Sequence, residues 1–329
     1  MRWPLALLLS APLAASSVRV IQTNSAGDTV SVIDPATNQV VGTIRGIEVN
    51  HGAAAAPDGS RYYISNESRH TLDVVDAKSL KVTSSIPLSD RPNNVSISKD
   101  GRRVYVAIAK SPGAVGIIDT ASLKNVKSVS VKGAVHNTYV TPDGKWVVAG
   151  SIPSKTITVI DQATETPAWS LEMDLGIRPM AFTVNADGST KWILVQLSGF
   201  NGFAVVDFAT HKEIRRITLP DLPPGKEKVM TGGNESHGMA VTADQKTLVV
   251  NSRLNSSIYL YSLPDLKLQG SVAVGMAPDW LTLTPDGKTA YVACAGSDAV
   301  YVIDLTAKRE VAKIAVGYVP KRNITAVLP

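Results

Sequence analysis

Cysteine occurs once, as Cys294, so no disulfide can form within the chain and an oxidising compartment would leave no other trace in it. No apolar run of membrane-spanning length follows Ser16, which excludes a transmembrane helix after the first residues. Proline and glycine are scattered instead of clustered, so no flexible linker divides the chain and one body is expected. Also missing are a Gly-rich phosphate loop, Cys-x-x-Cys-His for covalent haem, a Gly-x-Ser-x-Gly elbow and His-Glu-x-x-His. The enzyme classes built on those signatures are therefore not indicated.

What is present begins with "MRWPLALLLSAPLAASS": a basic Arg2, an apolar run through Leu9, and small residues at Ala14, Ala15 and Ser16. This reads as a cleaved signal peptide over residues 1–17, with one domain over 18–329 in the periplasm or secreted. Pro4 and Pro12 would interrupt a first strand or helix, and no cysteine follows the cleavage region to carry a lipid. The formal charge of +5 is spread as short basic groups such as Arg102-Arg103 and Arg215-Arg216 with carboxylates between them. That is a solvated mixed-charge surface, so nucleic acid is not the expected partner, and a monomer is expected.

Internal repetition decides the architecture. The turns "APDG", "SKDG", "TPDG", "NADG", "TADQ" and "TPDG" place Asp58, Asp100, Asp143, Asp187, Asp244 and Asp286 at separations of 42, 43, 44, 57 and 42 residues. A second series, Asp34, Asp76, Asp119, Asp161, Asp207, Ser262 and Asp304, gives seven copies. Each copy alternates Val-, Ile-, Thr- and Tyr-rich runs with Gly, Pro, Asp and Asn, as strands and hairpin turns do. A period near 42 with four strands per copy predicts an all-β, seven-bladed β-propeller of four-stranded antiparallel blades. "VPKRNITAVLP" matches the strand that precedes each Asp-Gly turn, and the N-terminal segment supplies the other three, so the C-terminal strand should close the N-terminal blade. The longest spacing holds the loop "LPDLPPGKEKVMTGGNE", which runs toward His237.

The copy "KTAYVACAGSDAVYVIDLTAKREVAKIAVGYVP" resembles the YVTN-type β-propeller repeat, with Tyr63-Ile64-Ser65-Asn66 and Tyr291-Val292-Ala293-Cys294 as its nearer tetrapeptides. The resemblance spans all seven copies and implies a seven-bladed, WD40-like propeller, commonly exported or on the cell surface. Proteins similar to this repeat include scaffolds, binding proteins and relatives of the haem-carrying propeller of bacterial nitrite reductases, so the fold alone implies no activity. The repeated Trp-containing motif that docks a quinone cofactor in larger propellers is missing.

In a propeller the loops before the inner strands and after the second strands share the face around the channel mouth. Asp-Gly turns lie on the other face, where their carboxylates serve the hairpin. Seven residues before each turn aspartate stand His51, Asn93, His136, Met180, His237 and Asp279, with Lys321 in the closing blade. The residue before these is Pro92, Pro179, Pro278 or Pro320 in four copies, and Asn50, Val135 or Ser236 in the three that carry histidine. Three of the five histidines thus share one position in alternate blades. Three imidazoles with an open position suit a transition metal such as Cu, Zn or Fe, with Asp279 as a fourth ligand or proton acceptor and Met180 biasing the site toward copper. The same histidines also suit hydrogen bonds to loop carbonyls and channel water, or direct contact with an anionic ligand.

Arg91, Arg178, Lys321 and Arg322 beside the mouth favour a carboxylate. Asn66, Glu67, His70, Gln196, Asn251, Arg253 and Cys294 follow or end second strands on that face. Glu67 is the candidate general base if it reaches His51, with Asp279 beside it as a further catalytic candidate. Asn93, Arg178, Asn251, Arg253, Lys321 and Arg322 form the candidate ligand-binding set. Cys294 reads as a core residue or a thiol ligand, and His211 belongs to the opposite face. Of the four tryptophans after the leader, Trp280 is the one expected at the mouth. The function expected is an exported binding protein whose mouth holds a small ligand or metal ion, or docks a partner protein. The alternative is a metal- or cofactor-dependent oxidoreductase or lyase using His51, His136 and His237.

Overall fold

The computed structural model describes residues 17–222 and 229–328. The expected leader lies outside them except for Ser17, which opens the first strand and pairs with Leu328. Among the described residues, twenty-eight strands, numbered β1 to β28 in chain order, form seven four-stranded antiparallel sheets. This is the seven-bladed propeller read from the repeats. Closure also follows the expectation: β28 (Pro320–Leu328) is the innermost strand of the blade made by β1 (Ser17–Asn24), β2 (Val30–Asp34) and β3 (Gln39–Ile44). No helix among the described residues is long and apolar enough to cross a membrane.

The strand pattern explains the packing. Middle strands such as β5 (Arg61–Asn66) and β21 (Thr247–Ser252) are buried on both faces, because each blade is covered by a neighbour on either side. The clusters therefore cross blade boundaries; one unites Ile21, Val32 and Ile44 with Tyr62, Ile64 and Val75. Outermost strands such as β19 (Lys212–Thr218), "KEIRRIT", are charged and mostly exposed, which blunts edges that would otherwise pair with other chains.

The turn aspartates do structural work. Asp58, Asp100, Asp143, Asp187, Asp244 and Asp286 each accept a main-chain N–H two residues on. Asp76, Asp119 and Asp207 accept a main-chain N–H three residues on, and Asp161 one two residues on, in the turns between third and fourth strands.

Candidate functional site

The inner strands are β28, β4 (Asn50–Ala55), β8 (Pro92–Ile97), β12 (Val135–Val140), β16 (Ile177–Val184), β20 (Ser236–Val241) and β24 (Pro278–Leu283). In all seven the ladder to the neighbouring strand skips just after the first residue. The second residue falls in this β-bulge, out of register, and a bulge re-aims the side chain it carries. Around the mouth these second residues are Lys321, His51, Asn93, His136, Arg178, His237 and Asp279.

Six of the seven are the residues reached by counting back from the turns. The fifth blade is a correction: Arg178, not Met180, stands in the ring. β16 and its partner β17 (Thr190–Leu197) are 8 residues long where the corresponding β4 and β5 have 6. A count from the turn therefore stops two residues too deep. Pro179 follows the ring position, whereas Pro92, Pro278 and Pro320 precede it. Met180, 2% exposed, packs in a core cluster and lines the channel below.

Three adjacent blades reach the ring through a residue in the left-handed region: Ala277 (φ 51°), Val319 (φ 52°) and Val49 (φ 50°). For β-branched valine this conformation is strained, and it sets the entry of Lys321 and His51.

The ring is ordered by charge. Asp279, 1% exposed, accepts from Arg253 and lies 3.0 Å from Lys321 Nζ. His237 Nδ1 is 2.6 Å from the main-chain oxygen of Asp279. A carbonyl only accepts, so Nδ1 carries the proton and the neutral ring offers Nε2 as acceptor. Asn137 Nδ2 donates to His136 Nδ1 at 2.6 Å. Glu67 does reach His51, with its Oε1 2.7 Å from Nδ1. Arg91 lies 4.0 Å from the other carboxylate oxygen. Arg178 donates to Ser198 Oγ at 2.8 Å and to the Gly233 carbonyl at 3.3 Å, and faces the charge of Glu235.

Burial, reinforced by Arg322, Lys321 and other cations, holds all three imidazoles well below their ordinary pKa. His136 adds to that effect at His237. Burial raises Glu67, with Arg91, Arg322 and Lys321 opposing it. Burial and then Arg253, Arg322 and Arg178 pull Lys321 down to about 8. At neutral pH the mouth thus holds neutral histidines among crowded cations.

His136 and His237 meet edge to face, with centroids 5.7 Å apart, while His51 is held by Glu67. Among the described residues no group of three His, Cys, Asp and Glu is arranged to hold a metal ion. The geometry lends no support to the three-histidine metal reading: His136 and His237 Nδ1 are engaged by Asn137 and the Asp279 carbonyl, and His51 Nδ1 lies against the Glu67 carboxylate.

The other candidates separate by position. A cleft of about 180 Å³ lined by Arg91, Asn93 and His136 opens at the mouth between the third and fourth blades. Arg322, 1% exposed, donates from Nη2 to Asn93 Oδ1 at 2.9 Å and lies 4.4 Å from the centre of the Trp280 ring. Asn251 is fully buried, its amide beside Gly238, where an added Cβ would stand 2.9 Å from Nδ2. Asn66 is likewise buried and donates to Asp73, and Gln196 donates to the Asn251 carbonyl. Cys294 is buried in a core cluster and burial raises its thiol pKa, while His70 is exposed. His211 stacks on Trp169 with ring centres 4.1 Å apart. Sequence reasoning missed the roles of Ser198 and Glu235 beside Arg178; the fifth blade's longer hairpin was the signal that would have found them.

Comparisons with known proteins agree on the architecture. Residues 117–327 match the family model described as Lactonase, 7-bladed beta-propeller. A curated relative, antigen Lp49 of Leptospira interrogans, is 28% identical over 171 residues, 46% of this chain and 34% of that protein. The match thus spans about a third of that relative's length. Among solved structures, hydrazine synthase of Kuenenia stuttgartiensis superposes with a TM-score of 0.75 at 23% identity, covering 86% of this chain and 91% of that one. The periplasmic gluconolactonase PpgL of Pseudomonas aeruginosa gives 0.74 at 20% identity, covering 95% and 100%. The dihydro-heme d1 dehydrogenase NirN gives 0.66 at 15% identity, covering 90% and 63%. At these identities the structures share the fold and nothing finer is carried over. With the family model matched across most of the blades, the chain belongs to the seven-bladed β-propeller lactonase family.

Proposed function

We propose that this propeller, exported to the periplasm or secreted, binds a small carboxylate-bearing molecule at the histidine face of its channel. One observation carries the reading: the cations Arg91, Arg178, Arg253, Lys321 and Arg322 outnumber the carboxylates Glu67, Asp279 and Glu235 around a largely dehydrated mouth. Excess positive charge in such a place is a standing cost that an anion relieves through charge-assisted hydrogen bonds. The neutral Nε2 acceptor of His237 and the amide of Asn93 add partners for the hydroxyl groups of a hydroxy acid.

Titration calorimetry with small mono- and dicarboxylates, hydroxy acids and the matching amides tests this. The acids should bind and the amides should not, and Arg178→Met should weaken the acids by about 10- to 100-fold, the weight of one charged hydrogen bond. Equal binding of acids and amides, or of neither, would refute the reading.

A second reading, lactone hydrolysis at the same mouth, is favoured by the His51–Glu67 pair and by the family. With the Glu67 carboxylate 2.7 Å from Nδ1, neutral His51 would present Nε2 to take a proton from water as the water's oxygen attacks a lactone carbonyl. The neighbouring cations would stabilise the developing oxyanion; as it collapses the ring C–O bond breaks, the leaving alkoxide takes the proton from His51, and the product carboxylate is left beside the cations. A pH-stat assay of lactones that detects no hydrolysis, or a rate unchanged in His51→Ala, removes this reading and leaves carboxylate binding standing.

A further inference from the structure

A second cavity lies at the other end of the channel. It holds about 640 Å³ and reaches the Asp-Gly face, where Pro142 and Pro285 of two turns stand at its rim. Its wall is made by the lower halves of the inner strands, with Tyr139, Met180, Phe182, Met239, Leu281 and Ile324 as apolar surfaces interspersed with uncharged polar groups such as Asn94, Thr138 and Thr282. Arg322 is the only charged side chain in that lining. It is 1% exposed, and its Nε and Nη1 have no hydrogen-bond partner among the described residues, only Nη2 being engaged, by Asn93. Trp280 packs against the guanidinium.

From this arrangement we infer that the lower channel is a second binding site, for an amphipathic monocarboxylate whose apolar body fills the cavity and whose carboxylate meets Arg322. The volume is that of a small-molecule pocket, and the wall offers an apolar body more than it offers water. One buried cation with two unpartnered donor nitrogens calls for one anion at depth. A dicarboxylate would place its second charge against a wall that holds no second cation, and a cationic amphiphile would meet Arg322 directly. The inference shares Arg322 and its partner Asn93 with the proposal for the histidine face, but the other cations counted there take no part in it.

Decanoate and decan-1-ol, below the concentration at which they aggregate, are the probes, read by calorimetry on the parent protein and two variants. Decanoate should bind saturably and at least tenfold tighter than decanol. Arg322→Met should erase that difference while decanol is held as before. Ala240→Phe, which narrows the cavity three residues below His237, should weaken both probes at least tenfold and leave acetate and other short carboxylates unaffected. The parent alone decides the matter if a variant does not fold. No saturable decanoate binding, equal binding of decanoate and decanol, or displacement of decanoate by a short carboxylate bound at the histidine face would each overturn the inference.

Discussion

Asp279 is the counter-charge on which the mouth is built, and its removal gives the most direct measure of the ring's electrostatics. The carboxylate is 1% exposed and serves two cations, Arg253 and Lys321, whose side chains are 15% and 27% exposed. Breaking a buried ion pair from one side costs about 3–5 kcal/mol, because the remaining charges stay desolvated. Partial exposure of both cations places Asp279→Ala at the low end, about 3 kcal/mol. For a chain of this size that is a fall of roughly 5–10 °C in melting temperature. The His237 hydrogen bond goes to the main-chain oxygen of residue 279 and survives the change, so the loss reports the carboxylate alone. Two companion measurements separate charge from packing. Asp279→Leu combined with Arg253→Met and Lys321→Met should recover most of the loss, since an apolar replacement of a whole buried ion cluster is close to neutral. Added acetate should stabilise Asp279→Ala more than the parent, approaching about 2.7 kcal/mol at a hundredfold excess over its dissociation constant. A loss below about 1 kcal/mol, or a triple variant no more stable than the single one, would refute the view that unpaired cations dominate this mouth.

Three further outcomes are expected. The histidines are held neutral in the fold, so above about pH 6.5 they contribute no pH dependence. As pH falls below that value the unfolded chain takes up protons that the folded one refuses, and stability drops by about 1.4 kcal/mol per pH unit per imidazole; melts from pH 7 to 5 should be flatter for His237→Gln than for the parent. An anion held by Lys321 needs its ammonium, which titrates near 8 in the free protein, so carboxylate affinity should fall by up to tenfold between pH 8 and 9, and Lys321→Arg should abolish that fall. Gly52→Ala would place a Cβ 2.5 Å from the Asn93 oxygen and 2.7 Å from the Val95 nitrogen, main-chain atoms of the next blade; a loss of about 2–3 kcal/mol in denaturant melts is expected, and a neutral result would contradict the close approach of the two inner strands.

The blades were legible because their determinants are local. Asp-Gly turns, buried Val and Ile runs and charged outer strands each follow from the chemistry of a hairpin or an edge, and the offset of the repeats against the chain ends implied the β28 to β1 pairing. The ring was legible only as far as the hairpins have equal length. Counting from the turn found His51, His136 and His237, yet it set Met180 where Arg178 stands, because two residues added to both β16 and β17 preserve the pairing while moving the mouth. Pro179 then imitated the prolines of other blades. Whether a side chain on the right face points into the channel or into a blade boundary is not local either. Asn251 and Arg253 are two residues apart, which in a regular strand would put them on one face, but Arg253 lies past the end of β21 and reaches Asp279 at the mouth, while Asn251 stays buried beside Gly238.

The bulges also explain how one fold carries a specific site. Every ring residue occupies a position that the ladder leaves unpaired, so its identity is little constrained by strand pairing, and the seven bulges present lysine, histidine, asparagine, histidine, arginine, histidine and aspartate from nearly the same backbone. Stability rests elsewhere, on blade-to-blade clusters and aspartate-locked turns. Asp279 and Arg322 are the exceptions. The first is buried under two cations, and the second is the charge that both ends of the channel share, bonded to Asn93 of the ring and lining the apolar cavity beneath. A substitution at either should therefore alter stability and binding together, whereas Arg178→Met should alter binding with little change in the fold.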